Sequence, residues 1–443
     1  MGKKTIVLYP SLGVGHLNPM VELAKALLRR GLGVLIAVVD APDTDAVSAA
    51  AVARLAAANP AIAFRLLPVP ASPDAGAHPL ALLLDMFCVD ALDVAAELRV
   101  PAYFFFPSAA SDLAVFLNLP YYYPTVPSFR EMAKDKNMLV RCYPGMPPIR
   151  ADDMLQSVQD KESDATRVRL YQFRRMAEGR GVLVNSFDWL EPAALKALRC
   201  GACVPTGPTP AVYCIGPLVN RGGSQGERGT DERPHECLAW LDAQPRSSVV
   251  FLCLGSKGAF SASQLQEIAR GLETSGHRFL WAVRSPLDEQ SQFPEPDLER
   301  LLPAGFLERT RSRGMVLKNW APQSEVLQHK AVAAFVTHCG WNSTLEAIMS
   351  GLPMICWPLY AEQSMNKVFM VEEMRIAVEM EGYKEFVMAE EVEAQVRLVM
   401  DTEEGKLLRE RLAVAKEKAM EAINEDGSSE AALADFFRDF EAE

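Results

Sequence analysis

Short apolar, β-rich runs alternate with amphipathic helical stretches along this chain, and the alternation occurs twice. In the first half the pattern predicts strands at Thr5–Tyr9, Gly33–Val39, Ala63–Leu67, Ala81–Asp85 and Tyr103–Phe106. Helices are predicted at Met20–Arg30, Asp45–Ala58, Ala91–Leu98 and Ser111–Asn118. In the second half Ser248–Leu254 leads to a helix at Ser263–Ser275 and a strand at Phe279–Val283. Strands at Met315–Lys318, Ala333–Thr337 and Met354–Cys356 follow, each preceding a helical pattern. Strand–helix alternation makes parallel sheets covered by helices on both faces. The fold class that follows is α/β, with two doubly wound Rossmann-like domains.

A chain of 443 residues has room for two to three domains, each with its own core. Between the halves, Arg221–Asp231 is rich in Gly and charge and lacks an apolar period, which marks a linker at 218–231. The first domain is then 1–217 and the second 232–426. A charged helical segment, 427–443, follows the break at Asp426-Gly427-Ser428.

With 45 Lys and Arg against 57 Asp and Glu, the net charge is −12, and no basic block is present to meet nucleic-acid phosphates. A small-molecule partner is expected. No apolar run reaches the roughly 18 residues of a membrane helix, and Pro10 cuts the N-terminal run before any leader could form. The expectation is a cytoplasmic monomer. Nine cysteines make an odd number in a large chain, so reduced thiols are expected rather than a disulfide framework. Cys200-x-x-Cys203 has no second pair or His at zinc spacing, and no metal site is predicted.

Two constellations carry chemistry. In the second half, the strand at Ala333–Thr337 runs into the turn His338-Cys339-Gly340-Trp341 and a helix opening at Asn342-Ser343. Backbone N–H groups and the helix dipole at such a turn form an anion site that suits a diphosphate. In the first half, His16 lies in the Gly-rich turn Gly13-Val-Gly15 after the first strand, and Asp85 ends an apolar strand where an unpaired carboxylate would be costly. An intact dinucleotide fingerprint is missing, because positions 18 and 19 are Asn and Pro, and the nicotinamide-enzyme reading weakens accordingly.

The run from Trp320 to Gln363 is 44 residues long and resembles the signature box of plant UDP-dependent family 1 glycosyltransferases. Trp320, Gln323, His338-x-Gly340-Trp341-Asn342-Ser343, Glu346 and the closing Glu362-Gln363 all stand at the family's spacing. The resemblance extends through Gly13-Val-Gly-His-Leu-Asn-Pro19 and Cys253-Leu-Gly-Ser256. It implies the two-domain fold called GT-B, whose domains face a cleft and whose last helix packs back on the first domain. It also implies site residues. Trp320 would stack on uracil while the Ala321 backbone reads the base edge. Gln323 and Glu346 would bind the ribose. His338, Gly340, Asn342 and Ser343, with Ser256, would hold the phosphates, and Trp341, Glu362 and Gln363 the sugar. Gln363 goes with glucose in that family, where His goes with galactose.

His16 and Asp85 match the family's catalytic pair. A neutral imidazole would take the proton of the attacking acceptor hydroxyl, and the carboxylate would fix its tautomer. The box has no Asp-x-Asp to hold a metal, so an inverting, metal-independent glucosyltransferase with UDP-glucose as donor and no cofactor is implied. The acceptor would be a small lipophilic phenol such as a flavonoid. Phe87, Phe104–Phe106 and Leu119–Tyr123 offer an aromatic wall for it, though core packing explains them equally.

A non-catalytic nucleotide-sugar-binding relative is the alternative, and the segment 71–80 motivates it. A parallel crossover needs about 10–12 residues including its helix. Ala71–Leu80, broken by Pro73, Gly76 and Pro79, supplies no helix of useful length. The strands on either side are then not parallel neighbours, or residues that wall the acceptor side of the family's cleft are absent there.

Overall fold

The computed structural model describes residues 4–441 apart from 12, 40–48, 68–78, 137, 142, 221–234, 256 and 287–293. Two compact units emerge, Met1–Gly229 together with Met420–Glu443, and Thr230–Ala419. Of the linker expected at 218–231, residues 221–231 lie outside the described residues.

In the first unit the strands are β1 (Thr5–Tyr9), β2 (Gly33–Val39), β3 (Ala63–Leu67), β4 (Ala81–Asp85), β5 (Ala102–Phe106), the short β6 (Leu139–Val140) and β7 (Ile149–Arg150), β8 (Gly181–Val184) and β9 (Ala211–Cys214). Seven of them form a sheet in the order β3-β2-β1-β4-β5-β8-β9, parallel throughout, and β6 and β7 form a separate antiparallel pair. The central strands β4 and β5 are buried at every residue, the pattern of a sheet covered on both faces. Helix Val14–Arg29 contributes Leu17, Met20, Leu23 and Leu27 to a core shared with Ile6, Leu8 and Ile36. The last helix, Ser428–Glu441, adds Leu433 and Phe436 to that core. The Phe436 ring meets Tyr103 at 5.0 Å and Tyr213 at 5.6 Å between centroids, and Ser429 donates to the Gly216 carbonyl.

The order of the sheet answers one question raised by the short segment after β3. That strand is at the edge, and β4 pairs with β1, so β2 and β1 stand between the two. Three strand spacings of about 4.8 Å must be crossed, about 14 Å in all. The chain from 68 to 80 can reach roughly 40 Å when extended. The two strands share a parallel sheet without being neighbours. Residues 71–78 themselves lie outside the described residues, and with them the expectation that residues are absent from the segment 71–80.

The second unit holds β10 (Val249–Cys253), β11 (Arg278–Val283), β12 (Gly314–Lys318), β13 (Val332–Thr337), β14 (Met354–Cys356) and β15 (Ala377–Glu379). They form one parallel sheet in the order β12-β11-β10-β13-β14-β15. The chain builds outward from β10 in one direction and from β13 in the other. The carboxyl ends of those two strands are therefore the switch point where open parallel sheets bind ligands. Among the described residues no helix is long and apolar enough to cross a membrane.

Candidate active site

The first half lies at the carboxyl ends of β1 and β4. Helix Val14–Arg29 begins straight after Gly13, whose φ of +104° is a conformation that favours glycine. His16 is therefore in the first helical turn, one step beyond the Gly-rich turn expected for it, and Pro19 sits inside the helix rather than before it. The cost is the single bond that a non-proline N–H would send to the Gly15 carbonyl.

From there the His16 Nδ1 reaches Oδ2 of Asp85 at 2.7 Å. Asp85 is fully buried, and its second oxygen accepts the Phe87 N–H at 3.1 Å. A carboxylate partner on Nδ1 selects, for a neutral imidazole, the tautomer with its proton on Nδ1 and its lone pair on Nε2. The ring packs 5.3 Å from Phe87, which the Arg169 guanidinium covers at 4.3 Å on centroid measure.

The aromatic wall expected beside this pair is largely core. Phe104, Phe105 and Phe106 have no exposed surface, because β5 is covered on both faces. Phe87 is the aromatic of that group that borders His16. Ser108, two residues past β5, donates to Asp112 at 2.9 Å in the interior.

The second half gathers the box residues around the switch point. Asn319, with φ of +61°, turns the chain after β12 and projects Trp320, which keeps 48% of its surface exposed beside His235. An exposed indole face is a platform on which a base can stack. Ala321, next to it, is buried. Gln323 and Glu346 meet: the amide Nε2 donates to Glu346 Oε2 at 2.7 Å and to the Ser343 hydroxyl at 3.0 Å. Ser324, a box residue to which sequence reasoning gave no role, donates to the other carboxylate oxygen. Glu346 is thus aimed by two neighbours while its remaining lone pairs can accept from vicinal hydroxyls.

The turn after β13 is over-determined. Cys339 has φ of +66°, unusual for a residue with a Cβ. Its N–H donates to Thr337 Oγ1 at 3.2 Å and its carbonyl accepts from Asn366 Nδ2 at 3.0 Å, which holds it there. His338 is seated between two glycines. A Cβ at Gly255 would come within 2.6 Å of its ring, and one at Gly340 within 2.5 Å of Nε2. Gly255 thus shapes the seat of His338, a packing role that the Leu-Gly-Ser spacing alone does not show. Burial pushes the His338 imidazole down to about 4, so it is neutral near pH 7, and its Nδ1 has no hydrogen-bond partner among the described residues.

Helix Trp341–Ser350 follows, with Gly340 as its N-cap. Its ladder starts with the Thr344 N–H on the Gly340 carbonyl, so the N–H groups of Trp341, Asn342 and Ser343 are directed at the turn. Trp341 is only 2% exposed and packs its ring near Phe369. With the indole packed away, the part of Trp341 that stands at the helix head is its backbone N–H.

Gln363 heads the next helix, and Glu362 is its half-buried N-cap. The Gln363 side-chain oxygen accepts the N–H groups of Leu359 and Tyr360 at 2.8 and 2.9 Å. Those two bonds fix the amide's orientation, so the group it turns outward is NH2, a donor only. Ser256 lies outside the described residues.

The family model described as UDP-glucoronosyl and UDP-glucosyl transferase matches residues 217–413. The anthocyanidin 5,3-O-glucosyltransferase of a Rosa hybrid cultivar is 43% identical, over 98% of each chain. The phloretin 2'-O-glucosyltransferase of Malus domestica is 40% identical over 97% of this chain and 98% of its own. Among solved structures, a UDP-glucosyltransferase from Polygonum tinctorium capable of glucosylating indoxyl, in complex with 3,4-dichloroaniline, superposes with a TM-score of 0.86 at 36% identity over the whole of both chains. A Phytolacca americana protein complexed with UDP-2-fluoro-glucose and pterostilbene gives 0.83 at 33% identity over 98% of this chain and 99% of its own.

Proposed function

The chain belongs to the UDP-glucoronosyl and UDP-glucosyl transferase family, and from that premise we propose that it moves glucose from UDP-glucose to a hydroxyl of a small lipophilic phenol, a flavonoid or a molecule of similar shape. It is a UDP-glucosyltransferase, and the relatives named for anthocyanidin and phloretin set the acceptor class proposed here. The non-catalytic alternative is not favoured, since the relatives are named as enzymes over nearly the whole length of this chain.

The observation that carries the mechanism is the His16–Asp85 pair. In the proposed step the acceptor hydroxyl oxygen bonds to C1 of glucose as its proton passes to His16 Nε2. The bond from C1 to the β-phosphate oxygen breaks, and its electron pair leaves with UDP. Asp85 stabilises the imidazolium that forms. One displacement inverts the anomeric centre.

In the second half Trp320 would carry the uracil with the Ala321 backbone at its edge. Glu346 and Gln323 would take the ribose hydroxyls. The head of helix Trp341–Ser350 with Asn342 and Ser343, together with His338, would hold the diphosphate. A neutral His338 serves as a hydrogen-bond donor there. Glu362 and Gln363 would meet the glucose hydroxyls. The step as written needs no cofactor, and we read the chain as a cytoplasmic monomer.

The test is a screen of UDP-sugars against a phenolic panel with mass identification of products. UDP-glucose with at least one flavonoid-sized phenol is expected to give UDP and a monoglucoside. Tight UDP binding with no transfer to any phenol would revive the non-catalytic reading.

A further inference from the structure

A diphosphate brings concentrated negative charge, and the box supplies no cation to meet it at the switch point. Lys330 is the one Lys or Arg between Trp320 and Gln363, and it stands before β13, at the opposite end of that strand from the His338 turn. Buried His338 is neutral near pH 7. The helix head contributes only partial charge, about half an elementary unit.

Arg284 is placed where that cation is missing. It follows Val283, the last residue of β11, and β11 pairs in parallel with β10, which runs into the turn at Gly255. On its other side β10 pairs with β13, which runs into His338. Three adjacent strand ends thus bring Arg284, Gly255 and the His338 turn to one edge of the sheet.

The guanidinium is half-buried, yet it has no hydrogen-bond or ion-pair partner among the described residues. Arg278, at the other end of the same strand, donates to Gln244. Leaving a partly buried charge unpaired is costly, and a fold tolerates it where a ligand supplies the counter-charge. Burial pushes the Arg284 pKa down, and the groups that oppose this are the Cys253 thiol and the Tyr360 phenol rather than a carboxylate. Tyr360 in turn packs 6.3 Å from His338 between ring centroids and neighbours Gln363, so Arg284 is within electrostatic reach of the wall that the box residues form. Two other cations are nearby: Lys257 is exposed and already engaged, and buried Lys367, close to the Cys339 turn, is neutralised by Glu379 at 2.9 Å.

We propose that Arg284 binds the diphosphate of the donor and takes up the charge that develops on UDP as the sugar bond breaks. This rests on the reading of the second unit as the UDP site. Arg284 would be the full positive charge in a site otherwise built from hydrogen-bond donors, and its effect would grow along the reaction as UDP acquires charge.

The experiment compares inhibition constants of UDP and uridine, each competing with UDP-glucose, for wild type, Arg284→Gln, Arg284→Lys and Lys257→Ala. Arg284→Gln is expected to weaken UDP at least tenfold, to leave uridine within about twofold, and to lower kcat as well as raise KM. Arg284→Lys should recover part of the UDP loss, and Lys257→Ala should change little. Thermal unfolding of each variant identifies damage to the fold. Equal losses for UDP and uridine, or unchanged UDP affinity, would overturn the proposal. So would a selective change in UDP-glucuronate turnover with UDP affinity intact, which would place Arg284 at the sugar. Wild-type UDP binding in the same series tests the underlying site reading separately.

Discussion

Nδ1 of His16 and Oδ2 of Asp85 stand 2.7 Å apart although 69 positions separate them in the chain. Neighbouring strand ends bring them together, and in the proposed mechanism the pairing leaves the Nε2 lone pair as the base. His16→Ala should therefore lower kcat by about 10²–10⁴ while UDP affinity stays within a few fold. Asp85→Asn preserves shape but lets the imidazole adopt the other tautomer, and a large kcat loss with little change in KM is expected. Initial rates and UDP titration of both variants check this; a His16→Ala enzyme with most of its kcat would contradict it.

Gly340→Ala isolates the seat of His338. Gly340 has φ of −63°, which alanine adopts without strain, so the added methyl acts mainly through its 2.5 Å approach to Nε2. UDP affinity should fall about tenfold or more, while crowding of the buried ring lowers stability by about 1–3 kcal/mol. Calorimetric titration with UDP alongside thermal unfolding measures both. Unchanged affinity would remove His338 from the phosphate site.

The same imidazole gives stability a pH dependence of known sign. It is held at about 4 in the fold against 6.5 as its ordinary value. Between those limits the unfolded chain takes up a proton that the fold refuses, so stability falls as pH drops from about 6.5 to 4. The loss is of order 3 kcal/mol at the acid end, and this group contributes no slope above about pH 7. His338→Gln should flatten the unfolding-temperature profile over that acid window. Parallel profiles for the two proteins would show the burial argument to be wrong.

In the proposed site Gln363 would offer the sugar a donor and no acceptor, since its side-chain oxygen is taken by two backbone N–H groups. In Gln363→Glu the carboxylate can still accept the Leu359 and Tyr360 N–H groups, but the outward NH2 is lost. The kcat/KM for UDP-glucose should fall about tenfold or more, and because Gln363 is buried, thermal unfolding reads the separate cost of placing a carboxylate there. The wild type should prefer UDP-glucose to UDP-galactose. A Gln363→Glu enzyme of undiminished kcat/KM would rule out the contact.

The last helix is part of the first unit's core. Phe436 is fully buried against Tyr103 and Tyr213, so Phe436→Ala should cost about 3–5 kcal/mol. Denaturant unfolding followed by the fluorescence of Trp189 would register it. A loss below about 1 kcal/mol would mean that the helix is dispensable to that core.

Much of this architecture was legible because long apolar periods and turn residues are local signals. β1 through β5 were read to within one residue. The strands that escaped, β6 to β9 and β15, are two to four residues long, too short to show a period, and are fixed by the sheets they join. Pro19 displaced the predicted start of the helix that carries His16, because a local breaker rule gave way to tertiary packing of Leu17, Met20 and Leu23. The box positions could be read from spacing, but the burial of Trp341, the fixed amide of Gln363 and the part of Ser324 depend on long-range packing. Arg284 stood outside any motif, and only the order of strands shows its place.

The most direct test of the central claim is the anomeric configuration of the product. A single displacement with His16 as base converts the α-linked donor into a β-glucoside, which proton NMR of the purified phenol glucoside reads unambiguously. The β-anomer, formed in step with UDP release, is the predicted result. An α-glucoside, or release of free glucose in place of transfer, would contradict the account.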